Sequence, residues 1–151
     1  MTPYDIVYKA FLAEVKDDLY IVNEEFPESE AMILDDLTSL LNKAVARFSY
    51  PKVDLRAKDD EAQEFVADLS LEEVEILATG MVAAWARREL HNVDILTQTM
   101  TTKDFNSYSQ APHINALIRT AEHAEKRLKR MLIKYSIRNE DYTNRLDALG
   151  R

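Results

Sequence analysis

Two glycines and four prolines in 151 residues leave this chain few places to turn sharply. Glycine supplies left-handed backbone at turns and proline interrupts helices, so their scarcity favours long helical runs joined by a few loops. The same scarcity removes a group of functions. A phosphate-binding loop or a dinucleotide-binding turn needs clustered glycines, so that backbone N–H groups can approach phosphate oxygens. Gly80 and Gly150 each stand alone.

Apolar periodicity places the helices. Thr2 reads as an N-cap with Pro3 at the first helical position, and Tyr4, Val7, Tyr8, Phe11, Leu12 and Val15 share one face. Asp17-Asp18 is expected to end that helix, with residues 19–22 as an apolar connector. A second helix opens near Pro27 and carries Ile33, Leu37, Leu40, Leu41, Ala44, Val45 and Phe48, stopping before Pro51. Residues 53–56 and 64–69 read as two short strands around the charged loop Lys58-Asp59-Asp60-Glu61. The third helix has the strongest start signal: Ser70 and Glu73 are spaced as a capping box, and Leu69 and Val74 as a hydrophobic staple. It is expected to run to about Leu90, with a short turn over 93–96. Gly80 and its neighbouring alanines thin this helix, which predicts close approach by another one.

Residues 97–109 are rich in Thr and Ser and read as a loop. The last helix begins near Ser109 or Pro112. Ile114, Leu117, Ala121, Ala124, Leu128, Met131 and Tyr135 follow at strict three- and four-residue spacing, a heptad seam. Residues 136–151 read as an extended tail with anchors. The expected fold is therefore all-α: a four-helix bundle-like domain, a short β-hairpin between helices 2 and 3, and a long C-terminal helix plus tail. The division is a domain over 1–135 and a docking tail over 136–151.

Charge is unevenly spread. Residues 1–112 carry 10 Lys+Arg against 22 Asp+Glu, a net −12, whereas residues 113–151 carry 9 against 5, a net +4. Such asymmetry marks either two surfaces with different neighbours or simply the charged outer faces of helices. There is no Cys, so disulfides and thiolate metal sites are excluded. The N-terminus lacks a basic stretch followed by an apolar run, and no segment approaches the roughly 18 apolar residues that cross a bilayer. The expectation is a cytosolic protein with no membrane contact.

His113 and His123 lie about 80° apart around a helix and about 15 Å along it, too far to share a metal ion. Glu122-His123 does not have the Glu-x-x-His spacing of dimetal bundles. The pairs Asp17-Asp18, Asp35-Asp36 and Glu72-Glu73 are expected at helix ends or on outer faces, and no serine sits in a nucleophile elbow. The reading is a non-enzyme with no catalytic residue, cofactor or metal.

The basic stripe Lys126, Arg127, Lys129, Arg130 and Lys134 admits three readings: nucleic-acid phosphate contacts, a solvated helix face, or a protein interface. The acidic remainder and the absence of interleaved aromatics weigh against the first. Trp85, Phe11, Phe48 and Phe65 read as core. Tyr50, Phe105, Tyr108 and Tyr142 fall in expected loops or the tail, where aromatics serve as interface anchors.

Four stretches resemble the head–tail connector, or neck adaptor, proteins of tailed bacteriophages. They are Thr2-Pro3-Tyr4-Asp5; Phe48-Ser49-Tyr50-Pro51-Lys52; residues 68–85, opening Asp68-Leu69-Ser70 and closing on Trp85; and Asp104-Phe105-Asn106-Ser107-Tyr108-Ser109-Gln110-Ala111. The last runs into the basic helix and its end, Tyr135-Ser136-Ile137-Arg138. The resemblance spans residues 2 to about 138. It implies a structural virion protein that forms a ring, typically dodecameric, under the portal. Such a ring extends the DNA channel without binding DNA specifically and receives the next neck or tail-completion protein. It also implies location in the virion neck after assembly in the host cytoplasm, with the C-terminal helix and tail docking on the portal.

The portal or neighbour interface expected on this basis comprises Lys126, Arg127, Arg130, Lys134, Tyr135 and Arg138 on the helix, and Tyr142, Arg145, Leu146 and Leu149 in the tail. Tyr50, Lys58, Phe105 and Tyr108 form a loop interface. A different class of reading is a helical regulatory or scaffolding module that self-associates through the 114–135 seam.

Overall fold

A computed structural model describes residues 1–16, 20, 28–99 and 107–150, with the side chains of 96–99, 107–111 and 139–149 left aside. The order is β1 (Thr2–Pro3), α1 (Tyr4–Glu14), α2 (Glu28–Arg47), β2 (Lys58–Asp59), β3 (Glu64–Phe65), α3 (Leu71–Thr99) and α4 (Ser107–Leu149). The chain is mostly helical, with a small antiparallel sheet of order β1-β3-β2. Helix α3 is the hub: α1, α2 and α4 all pack against it.

The buried core explains that arrangement. Tyr4, Val7 and Phe11 of α1, Leu40 and Leu41 of α2, and Ile76, Leu77 and Met81 of α3 are almost fully enclosed. Leu117, Ala124, Leu128 and Tyr135 bring the α4 seam onto the same body. Gly80 shows how closely α2 approaches: a Cβ there would lie 2.9 Å from Ala44 Cβ and 3.3 Å from Ala44 Cα. The capping box forms as expected, Ser70 N–H donating to Glu73 Oε2 at 2.7 Å and Glu73 N–H donating to Ser70 Oγ at 3.3 Å. Leu69 is partly buried against the core and Val74 is buried, as the staple requires.

Several expectations are corrected. Thr2 is not the cap of α1. Its Oγ1 accepts from Leu69 N–H at 2.8 Å, and its backbone pairs with Phe65, so Thr2 is spent on β1 and Pro3 becomes the N-cap. Helix α1 ends at Glu14, where Val15 turns extended with its N–H on Phe11 O. Residues 53–56 form no strand, and Lys58 lies inside β2 rather than in a loop between strands. Helix α3 continues past Leu90 to Thr99, because nothing in that stretch is Gly or Pro.

Helix α4 starts at Ser107 and carries Pro112 in its second turn. Its end lies at Leu149, so residues 136–149 are helix and not an extended tail. They too contain no Gly or Pro, and Gly150 stands just past the end, where helices favour it. At 43 residues, α4 is about 64 Å long. Helix α1, ending at Glu14, stops short of Asp17-Asp18; the expected helix opening at Pro27 and the connector around Tyr20 lie outside the described residues, apart from Tyr20 itself.

Candidate functional site

Helix α4 has two chemically opposed faces. Its seam lies against α3, with Leu117, Ala124, Leu128 and Tyr135 buried within the same chain. These seam residues are therefore not on the surface of this chain. On the opposite side, Lys126, Lys129, Arg130 and Lys134 are exposed, and among the described residues none forms an ion pair. Between them Ile133 and Ile137, one turn apart, are 51% and 53% exposed. Four cations around two half-exposed isoleucines on one helix face suit an acidic partner surface with an apolar recess. Ile133 and Ile137 were missed from the sequence, although their positions fall about opposite the seam, where a solvated helix carries polar residues.

Other expected interface residues are committed inside the chain. Tyr135 is a correction: it is 2% exposed, its ring meets Phe48 edge-on with centroids 5.1 Å apart, and it belongs to the core. Seam position already implied as much. Arg127 donates to Glu14 and Glu75 at 2.8 and 3.2 Å, tying α4 to α1 and α3. Arg138 pairs with Glu72 at 3.1 Å while staying largely exposed. Lys58 is also corrected, since it grips Asp60 at 2.6 Å with its side chain mostly covered.

Tyr50 is 81% exposed and holds a left-handed backbone with φ 56°, uncommon outside glycine. An aromatic ring kept outside the core at a strained position fits an anchor in a contact surface. Phe105 and the side chains of Tyr108, Tyr142, Arg145, Leu146 and Leu149 lie outside the described residues. The backbones of the last five belong to α4.

The acidic side of the molecule has its own polar structure. Tyr8 Oη and Thr38 Oγ1 are 2.9 Å apart, Gln63 joins both, and Tyr4 Oη donates to Asp60 Oδ1 at 2.7 Å. Burial and the neighbouring Asp60 carboxylate push the Tyr4 hydroxyl well above its ordinary range, so it stays a proton donor. Thr38, Gln63 and Asp60 of this network line a groove of about 880 Å³ along α2, together with Asp35, Glu61 and Lys43. Glu73 lies at the start of α3 as its place in the capping box predicts, but it is buried rather than solvated, with both carboxylate oxygens hydrogen-bonded. Asp36 is likewise drawn inward, where Arg88 and Tyr20 hold it.

Among the described residues, no group of three His, Asp or Glu side chains is placed to hold a metal ion. None of the described helices is long and apolar enough to cross a membrane. Compared with known proteins, the chain matches no family model, no curated protein and no solved structure.

Proposed function

We propose that this chain is a structural subunit of a phage neck, a head–tail connector that assembles as a ring beneath the portal. In this reading a four-helix-bundle-like body sits in the ring, and α4 reaches out to grip the portal or an adjoining subunit. The observation that carries it is the outer face of α4, where Lys126, Lys129, Arg130 and Lys134 surround exposed Ile133 and Ile137. The helix then runs eleven residues beyond Arg138.

Charge supports the same reading. A body with a net −12 over residues 1–112 repels phosphates, so DNA can slide past it without sticking. A cationic helix on that body steers encounter with an acidic protein surface. Tyr50, presented on a strained loop tip, adds an aromatic contact for the neighbouring subunit or the next neck component.

The test is the mass of the purified chain, alone and mixed with a portal ring. A connector joins the portal in matched stoichiometry. Removing residues 139–151 leaves the Tyr135 packing untouched, so the truncated chain should fold and fail to join. If the truncated chain joins as well as the full one, residues 139–151 are not part of the portal contact; if the full chain never joins, the connector reading is wrong.

A further inference from the structure

Helices α2 and α3 touch at Ala44 and Gly80, and a cleft of 560 Å³ opens beside their contact. Every polar side chain lining it is basic. Lys43 and Arg47 stand one turn apart on α2, and Arg87, Arg88 and His91 face them from α3. Ala46 and Ala84 complete the lining, and no carboxylate is part of it. The first 112 residues hold only 10 Lys+Arg against 22 Asp+Glu, yet four of those ten cations meet here.

Gathering like charges is unfavourable unless a counter-charge enters. The chain supplies some from outside the cleft. Glu125 of α4 takes both Arg47 Nη atoms, at 2.9 and 2.6 Å, and Arg87 Nη2 at 2.7 Å. Asp36 takes Arg88. These contacts fix three guanidinium groups in place without using all their donors. Lys43 and His91 form no ion pair among the described residues, and the Arg87 side chain is 69% exposed. Positive charge is therefore left over, on donors that converge from two helices.

We propose that this cleft binds a small phosphorylated ligand, of nucleotide size or below. Lys43, Arg87 and His91 hold the phosphate oxygens directly, and the anchored Arg47 and Arg88 add fixed positive charge. Phosphate fits better than carboxylate because it offers at least three acceptor oxygens and up to two negative charges to donors from two directions. The volume lies in the range of small-ligand sites, roughly 300–1,000 Å³. A small ligand also suits the surrounding field. Screening over about 8–10 Å lets a ligand inside the cleft feel its cations, whereas a duplex would lie along the acidic surface around it. Recognition here is by side chains, so it does not need the clustered glycines the chain lacks. The proposal is independent of the connector reading.

Titration calorimetry on the full-length chain tests it, with tripolyphosphate as the probe and a short DNA duplex as the competitor class. Saturable binding of tripolyphosphate is expected, weakened about tenfold or more by Lys43→Met and by Arg87→Met, as expected for losing a charge-assisted contact. Both side chains are exposed, and Arg47 keeps Glu125 paired, so the variants should retain wild-type circular dichroism. If one does not, the other carries the test. Absence of saturable binding overturns the proposal, as does binding that ignores both substitutions, or a duplex that binds more tightly than tripolyphosphate.

Discussion

Tyr135 Oη donates a 2.6 Å hydrogen bond to Glu73 Oε1 inside the protein, where the two residues are 2% and 3% exposed. The other oxygen of Glu73 accepts from the Ser70 N–H and hydroxyl, and Lys52 N–H donates to Tyr135 Oη at 2.8 Å. One buried carboxylate thus joins the cap of α3, the seam of α4 and the loop after α2. The lock fixes the register of α4 on α3, and so decides which face of α4 is left for a partner.

Tyr135→Phe keeps the ring and removes the hydroxyl, leaving Glu73 and the Lys52 N–H each one partner short. A loss of about 1–3 kcal/mol is expected in urea unfolding, the range for an orphaned buried polar group. A variant as stable as the wild type would show that the lock contributes nothing.

The two faces of α4 should respond differently to mutation. Leu128→Ala on the seam should cost about 2–5 kcal/mol. Ile133→Asp and Lys126→Glu on the outer face should stay within about 0.5 kcal/mol of wild type, because both positions are exposed and belong to no core contact. Partner binding should follow the opposite order, with the outer-face variants losing it. Thermal melts and pull-down on the same proteins read both.

Gly80 is held by contact with α2. Gly80→Ala gains up to about 1 kcal/mol of helix propensity, but its methyl group would press on Ala44 Cβ and backbone, an overpacking cost of about 1–3 kcal/mol. Net destabilisation is expected. Combining it with Ala44→Gly should relieve part of that clash, seen as favourable coupling in a double-mutant cycle. Additive effects would mean the helices simply move apart.

Acid should unfold the protein partly through Asp36 and Glu125. Burial raises the Asp36 pKa, but hydrogen bonds from Arg88 and Tyr20 outweigh it and hold the carboxyl below its ordinary range. Arg47, against burial and helped by Arg87, does the same for Glu125. Folded-state values below the unfolded ones give stability that is complete above the ordinary carboxylate range and lost as pH falls through the folded values. Asp36→Asn should therefore flatten the fall in stability on the acid side, measured as urea midpoints against pH. An unchanged slope would remove Asp36 from the account.

The legible parts of this protein are those set by neighbours within a few residues. The stripes of α2 and α4, the Ser70–Glu73 capping box and the thin face at Gly80 are local patterns, and physics acting over three or four residues produced them. The run of α4 to Leu149 was not read from the sequence, because the apolar seam ends at Tyr135; the helix continues because no Gly or Pro interrupts it before Gly150. What only tertiary structure decided is where polar groups find partners far along the chain. Thr2 caps nothing because Leu69, 67 residues away, takes its hydroxyl. Glu73 is buried because Tyr135, 62 residues away, brings it a donor. Four cations from α2 and α3 share a cleft because two helices happen to cross there. A buried polar atom must be paired, but sequence spacing does not name its partner; that choice is made when the helices pack.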